Sequence, residues 1–277
     1  MKMEDVDTSP KTQKKQASNV VREVKETKTK NNEIQQLDGN YHTIKGLPSK
    51  GKFYPNDVEI KARPLKVIEV KKLSSITEDN ADDVVNDILR RTVIGINVDD
   101  LLLADKLFIV FWLRANSYRD SSYKVGFVCE KCKEESTYHF ELDNLDINYI
   151  DDGYDPNKEI ILKQSNDKIL LRFLTISDER YMSKFVEQNK NTMEVDAELL
   201  GLSMMIDTIN GESKDLLSKY SYVLDLDPGD FSQLSTIISD NSMGLEPWLN
   251  VKCEKCGGES HIGITFHSDF FIPKFVS

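Results

Sequence analysis

Apolar positions in this chain recur with two different periods, and the switches between them mark its elements. Residues 58–63, Val-Glu-Ile-Lys-Ala-Arg, alternate as a half-buried strand does. The spacing then becomes helical over about 65–74, 79–95 and 99–116. Thr77 stands where it would cap the second of these helices, with acids in the first turns. The third opens near Asp99 or Asp100 and is apolar nearly all round, which predicts a place at the centre of the core. After Asn116 the period returns to two. Residues 123–129 and 137–142 read as the arms of a hairpin, 147–150 as a further strand, and 159–162 with 169–173 as a second hairpin turning on Ser165-Asn166-Asp167. Helical spacing resumes at 177–189, 195–209, 213–223 and 228–240, interrupted by Asn210-Gly211 and Asp227-Pro228-Gly229. A last hairpin spans 248–252 and 260–266. No solenoid repeat is visible.

The first 40 residues follow neither period. Residues 1–38 hold 8 Lys or Arg against 7 Asp or Glu and few large apolar side chains. Such a segment buries too little surface to offset its ordering entropy, so a flexible N-terminal arm is expected. Val20, Val21 and Val24 would give it one short helix, formed on a partner. The rest of the chain carries 28 cationic against 40 acidic residues, and the whole chain has a net charge of -11. That balance argues against a general binder of nucleic acid or anionic membranes, which wants clustered Lys and Arg. Residues 1–40 contain no apolar run of the secretory kind. The most apolar stretch, 101–113, falls short of the ~20 residues of a bilayer span and includes Asp105 and Lys106, so a buried helix is expected. With no membrane or export signal, synthesis in a reducing cytoplasm is the expectation, and there cysteines serve as metal ligands more often than as disulfides.

There are 4 cysteines, in two identical tetrapeptides, Cys-Glu-Lys-Cys at 129–132 and at 253–256. Each lies between two alternating runs, where a hairpin must turn. That is the pattern of a zinc knuckle, in which two thiolates point into a turn whose backbone N–H groups stabilise the sulfur charge. Gly257 and Gly258 supply permissive backbone to the second turn. Two knuckles make a closed tetrahedral site, which favours a structural Zn2+ held by Cys129, Cys132, Cys253 and Cys256 and leaves no open position for zinc catalysis. The pairs are far apart in sequence, so a compact zinc ribbon does not describe them. Insertion of a helical block into a small β-domain does. Two half-sites completed by other ligands or other chains, and metal-free cysteines, remain as alternatives. His139, His261 and His267 lie near the knuckles and read as surface or packing residues rather than ligands.

The predicted fold class is therefore α+β: small antiparallel β elements closed by a four-cysteine zinc knuckle pair, with an inserted helical domain and a flexible N-terminal arm. The expected divisions are 1–40, the arm; 41–150, an α+β region with the first knuckle; 151–246, a β-hairpin plus helical insertion; and 247–277, the second knuckle hairpin and tail.

Other motifs fail on inspection. Residues 46–52 match G-x-x-x-x-G-K, but Phe53 stands where a phosphate loop needs Ser or Thr, and no apolar strand precedes the turn. The expectation is a structural turn that packs Phe53 and Tyr54. The acids Asp79, Asp82, Asp83, Asp99 and Asp100 have no base or cleft to work with and read as solvated helix faces. Arg90, Arg91, Arg114 and Arg119 are expected to pair with neighbouring acids. No catalytic residues are assigned, and an enzyme is not expected.

Three stretches then carry a resemblance: LPSKGKFYP with VEIKARPL after it; ADDVVNDILRRTVIGINVDDLLLADKLFIVFWLRANSYRD leading into the first knuckle; and GLEPWLNVKCEKCGGESHIGITFHSDFFIP at 244–273. Together, over roughly residues 44–273, the chain resembles the T4-like phage baseplate protein family, the baseplate hub and hub-assembly proteins of contractile-tailed phages. The resemblance implies a structural or assembly role in the baseplate hub, partners among other hub and tail proteins or a second copy of the chain, a location in the virion tail baseplate, and host cytoplasm during assembly. It implies no catalysis. Residues 47–55 and 270–273 are candidate contact elements, because aromatics beside prolines make rigid anchors. The equally physical alternative is that Phe270, Phe271 and Phe275 cap the protein's own core. A nucleic-acid-binding zinc-ribbon protein is the competing function.

Overall fold

The fold is that of a computed structural model, which describes residues 40–77, 80–118, 122–141, 145–246, 248–264 and 268–272. The arm with Val20, Val21 and Val24, and Asp79, Arg119, His267, Pro273 and Phe275, lie outside the described residues. The chain divides into Met1–Tyr41 and His42–Ser277, and every element below belongs to the second unit.

The chain enters through β1 (His42–Thr43) and β2 (Lys61–Ala62), followed by α1 (Val67–Leu73), α2 (Ala81–Thr92) and β3 (Val93–Ile94). The three strands form an antiparallel sheet in the order β1-β2-β3. The predicted helix over 79–95 therefore ends early. Val93 and Ile94 are β-branched and pair with Ala62 and Lys61, and a tertiary ladder outweighs a weak helix preference. Thr77 is not the cap: its own N–H donates to Asn80 Oδ1, and Asn80 occupies the N-cap position. After a 3-10 turn at Val98–Asp100, α3 runs over Leu103–Ser117. As its pattern predicts, α3 is central. Ile109, Val110, Phe111 and Leu113 are buried in the principal core, which also holds Leu73, Leu89, Leu101 and Ile176.

Two hairpins carry the cysteine turns. β4 (Ser122–Val128) pairs with β5 (Glu135–Glu141), and β11 (Trp248–Lys252) with β12 (Glu259–Gly263). Between them lie β6 (Ile147–Asn148), β7 (Ile160–Ile161), β8 (Lys168–Leu171), α4 (Ile176–Asn189), α5 (Ala197–Met205), β9 (Ile206–Ile209), α6 (Leu216–Leu224), α7 (Pro228–Asp240) and β10 (Gly244–Leu245). β6 pairs with β10, so the chain leaves the principal core and returns to it at neighbouring points. The predicted helix over 195–209 stops at Met205, because Ile206 to Ile209 pair with β8 as the third strand of the β7-β8-β9 sheet. Two smaller cores fill the intervening block. One gathers Leu162, Ile169, Ile206, Val223 and Leu234, and the other Phe185, Leu200, Met204, Leu216 and Tyr220. The block is fastened to the start of α3 and the turn before it by backbone bonds from Leu103 to Leu174 and from Ile176 to Leu101, both 2.9 Å.

Much of the two expected contact elements is buried in the interior. Phe270 and Phe271, in the short helix α8 (Ser268–Phe271), are 0% and 3% exposed and pack edge-on against each other, and Phe270 also packs edge-on against Phe111 and Tyr123. The turn at 47–55 folds inward. Phe53 packs against Tyr154 and Phe173, and Tyr54 is buried. Its anchor is Asp105, which is fully buried and accepts from Ser49 N–H (3.1 Å), Ser49 Oγ (2.5 Å) and Tyr54 Oη (2.6 Å). Tyr54 Oη in turn accepts from Leu102 N–H. The Asp105 carboxyl is held above its ordinary pKa because burial outweighs those donors. The turn is thus structural, as expected, and its glycines and lysines serve the fold: Lys50 Nζ reaches Asp152 (2.6 Å), and Lys52 Nζ the carbonyls of Asp151 and Asp152.

The surface acids and arginines mostly neutralise one another. Arg90 and Arg180 share Asp99, Arg91 pairs with Asp87, and Lys106 bridges Asp82 and Glu179. Arg114 goes elsewhere: it is 1% exposed, and its Nε donates to the carbonyl oxygen of Phe270. Among the described residues, no helix is long and apolar enough to cross a membrane.

Candidate metal centre

Each Cys-x-x-Cys turn closes the same way. In the first, Cys129 N–H donates to Glu134 O (2.9 Å) and Lys133 N–H to Cys129 O (2.9 Å). In the second, Cys253 N–H donates to Gly258 O (2.8 Å) and Gly257 N–H to Cys253 O (2.8 Å). The residue after the second cysteine must then adopt a left-handed backbone. Gly257 does so at φ 65°, and Lys133 does so at φ 59° without the freedom of glycine. The glycine that helps the second knuckle has no counterpart in the first.

The turns aim their N–H groups at sulfur. Cys129 Sγ receives the N–H groups of Cys132 and Lys131, and Cys253 Sγ those of Cys256 and Lys255. Cys256 Sγ receives the Gly258 N–H at 3.4 Å. The first two thiols are accordingly drawn down, Cys253 to about 6, chiefly by the Cys256 N–H. Cys132 behaves oppositely. The Glu134 N–H favours its thiolate, but burial and the three neighbouring sulfurs push it up to about 12. A fourth negative sulfur is hard to add to such a cluster without a cation at its centre.

Chain folding brings the two turns face to face, and all four sulfurs lie within 4.8 Å of one another. Cys129 to Cys256 is 3.6 Å and Cys132 to Cys253 is 3.7 Å. A zinc ion with ~2.3 Å bonds to four tetrahedral sulfurs sets them about 3.8 Å apart, so the donor set fits that ion in number, kind and spacing. Cys129 and Cys253 are buried, Cys256 is half-buried and Cys132 is the most open. Among the described residues, this is the only cluster of its kind.

The surrounding side chains clasp the turns across their interface. Lys255 Nζ meets Glu134 at 2.7 Å, while Lys131 lies over Gly258, where an added Cβ would come within 3.0 Å of Lys131 Cβ. Lys131 and Lys255 hold equivalent places in the two tetrapeptides, as do Glu134 and Gly258 after them, so the clasp is approximately two-fold. The Glu130 N–H points to Ser260 Oγ at 3.4 Å, and Ser136 Oγ lies 3.9 Å from Cys253 Sγ. Sequence reasoning found the four cysteines but missed this clasp. Its one signal was that both tetrapeptides carry the same lysine. Among the described residues, His139 and His261 stay outside the cluster. His139 is exposed on β5, and His261 stacks on Trp248 while bonding Asn250 Oδ1.

Comparison with known proteins gives one positive result. No curated protein and no solved structure matches. The family model described as T4 bacteriophage base plate protein matches residues 40–272, which takes in the principal core, both cysteine turns and the block between them. This chain therefore belongs to the T4 bacteriophage base plate protein family.

Proposed function

We propose that the chain is a structural or assembly component of the hub of a contractile phage tail baseplate, working through protein–protein contacts rather than catalysis. The family match over residues 40–272 carries this reading. Partners are other hub and tail proteins, met in the host cytoplasm during assembly. Cys129, Cys132, Cys253 and Cys256 hold one structural zinc ion, a role supported by the sulfur spacing and the N–H groups aimed at the sulfurs. When bound, zinc supplies cross-linking and charge neutralisation, and a closed four-sulfur set keeps water and substrate away from it. Residues 151–246 act as an insertion into the zinc-clipped frame, a reading favoured by the β6–β10 pairing at its mouth and by its two separate cores.

The test combines two measurements. Mass spectrometry of purified particles and tail intermediates should find the chain in hub-containing species, and metal analysis of the recombinant chain should find one zinc per polypeptide. Absence from every particle and intermediate would sink the hub assignment. A salt-dependent mobility shift of DNA or RNA at micromolar protein would favour the nucleic-acid reading instead.

A further inference from the structure

The two cysteine turns share one backbone plan, but they are not equally covered. In the second turn Gly258 is buried, and the Lys131 side chain lies against it. A Cβ added to Gly258 would stand 3.0 Å from Lys131 Cβ and 3.2 Å from Cys256 Sγ, so the Lys131 stem lies beside that sulfur. In the first turn every residue from Glu130 to Glu135 is exposed, including Glu134, the counterpart of Gly258. Ser260 is buried in the second hairpin, while its counterpart Ser136 in the first is only half-buried. The cysteines follow suit: Cys129 and Cys253 are buried, Cys256 is half-buried and Cys132 is exposed.

Hydrogen bonds divide the sulfurs along the same line. Cys129 and Cys253 each receive two turn N–H groups, whereas Cys132 receives that of Glu134 and Cys256 that of Gly258. Donors of this kind hold a thiolate in place and draw off charge that would otherwise serve a nucleophile. Backbone strain then separates Cys132 from Cys256. Lys133 closes the first turn at φ 59°, a left-handed conformation that disfavours a side chain, while Gly257 closes the second at φ 65° without that penalty. Opening the turn at Cys132 therefore relieves strain, and opening it at Cys256 relieves none.

We propose that Cys132 is the exchangeable ligand of the zinc site: the thiolate that gives way first to a competing ligand, and the one that soft electrophiles alkylate, while Cys129, Cys253 and Cys256 keep the ion. The proposal rests on the zinc reading given above. With a maleimide the step is an addition. The Cys132 sulfur lone pair forms a C–S bond, the electron pair of the ring C=C moves to the neighbouring carbon, and that carbon takes a proton from water. The product is a neutral thioether without the thiolate's charge, so the ion loses that bond and keeps three thiolates.

Competitive labelling of the zinc-loaded full-length chain tests this without any substitution that could unfold it. Zinc is first quantified on the purified protein. The chain then meets a limiting amount of N-ethylmaleimide briefly at neutral pH, and the remaining thiols are blocked with iodoacetamide after denaturation in chelator. Fragmentation mass spectrometry of the peptides reads each cysteine separately. Cys132 should carry roughly tenfold or more maleimide than any other cysteine, because exposure governs which thiolate reacts. Zinc extraction by a chromogenic chelator should speed up in proportion to the label at Cys132. A zinc-loaded chain that labels first at Cys129, Cys253 or Cys256, or at all four together, overturns the proposal and leaves the zinc reading standing. So does label at Cys132 that leaves zinc extraction unchanged. A purified chain that holds no zinc overturns the zinc reading, and this proposal with it.

Discussion

Arg114 Nε donates to the carbonyl oxygen of Phe270 over 2.7 Å, joining the central helix to the last described helix across 156 residues of chain. Tyr118 Oη makes a parallel bond to Phe271 O at 2.8 Å, and the Arg114 guanidinium lies 4.8 Å from the Tyr118 ring centre. The second cysteine turn is therefore held from two directions, by the sulfur cluster at one end and by this anchor at the other. Phe270 and Phe271 are thus structural.

Phe270→Ala should lose about 3–5 kcal/mol of unfolding free energy in a urea titration, the usual cost of emptying a fully buried aromatic site. Zinc content should survive, since the cysteines are untouched. A loss below ~1 kcal/mol would mean that the anchor contributes little.

Removing the proposed zinc should be far more damaging. Structural zinc contributes on the order of 10 kcal/mol to folding in small domains. Cys129→Ser, Cys253→Ser or a strong chelator at neutral pH should leave the protein unfolded or aggregated, as read by near-UV circular dichroism and light scattering. Acidification should release zinc, because protons compete with it for the thiolates. A soluble, well-folded, zinc-free double variant would contradict the assignment.

Tyr54→Phe removes one hydroxyl that serves two buried groups, donating to Asp105 and accepting from Leu102 N–H. The N–H is then left without its acceptor, and the expected cost is about 1–3 kcal/mol. Thermal melts should place Ser49→Ala in the same range, since Ser49 Oγ is the other hydroxyl on Asp105.

Asp178→Asn should change the acid limb of the stability curve. Burial pushes the Asp178 carboxyl up, but the Arg172 fork and the Thr175 cap outweigh it and hold the pKa below the ordinary 3.8. A lowered folded-state pKa stabilises above 3.8, and that stability is lost as pH falls through the lower value. The wild type should exceed the variant near pH 6, and the gap should close below about pH 3.8. Urea midpoints at several pH values measure it, and a gap independent of pH would show that the charge is not what matters.

Gly95→Ala should be among the most harmful changes to a small residue. Gly95 sits at φ 93°, and an added Cβ would lie 2.0 Å from the carbonyl oxygen of Glu59. That obstacle is backbone and cannot rotate away. Strain and displacement together should cost about 3 kcal/mol or more, visible as a drop in Tm. Gly51→Ala, also left-handed but with open space around it, should cost less.

Much of this architecture was legible from local pattern. The two-residue period at 123–129 and 248–252, the identical Cys-Glu-Lys-Cys turns and the largely apolar surface of α3 all lie in near-neighbour spacing, which reports the period and the turn directly. The misreadings fell where a distant segment decides. Residues 93–94 and 206–209 continue a helical pattern but become strands because β2 and β8 stand beside them to pair. Asp105 reads as a polar break in an apolar helix until the 47–55 turn supplies its donors.

By itself, the sequence determined the four cysteines and their place in two identical turns, the hairpins that present them and the identity of the central helix. Each depends on residue type and spacing, which are covalent facts. Only the tertiary structure decided that all four sulfurs converge within 4.8 Å, that Lys255 and Lys131 clasp the opposing turn, and that Phe270 is core rather than surface. Those outcomes depend on which surfaces exclude water together, and that is set by contacts between residues a hundred or more positions apart.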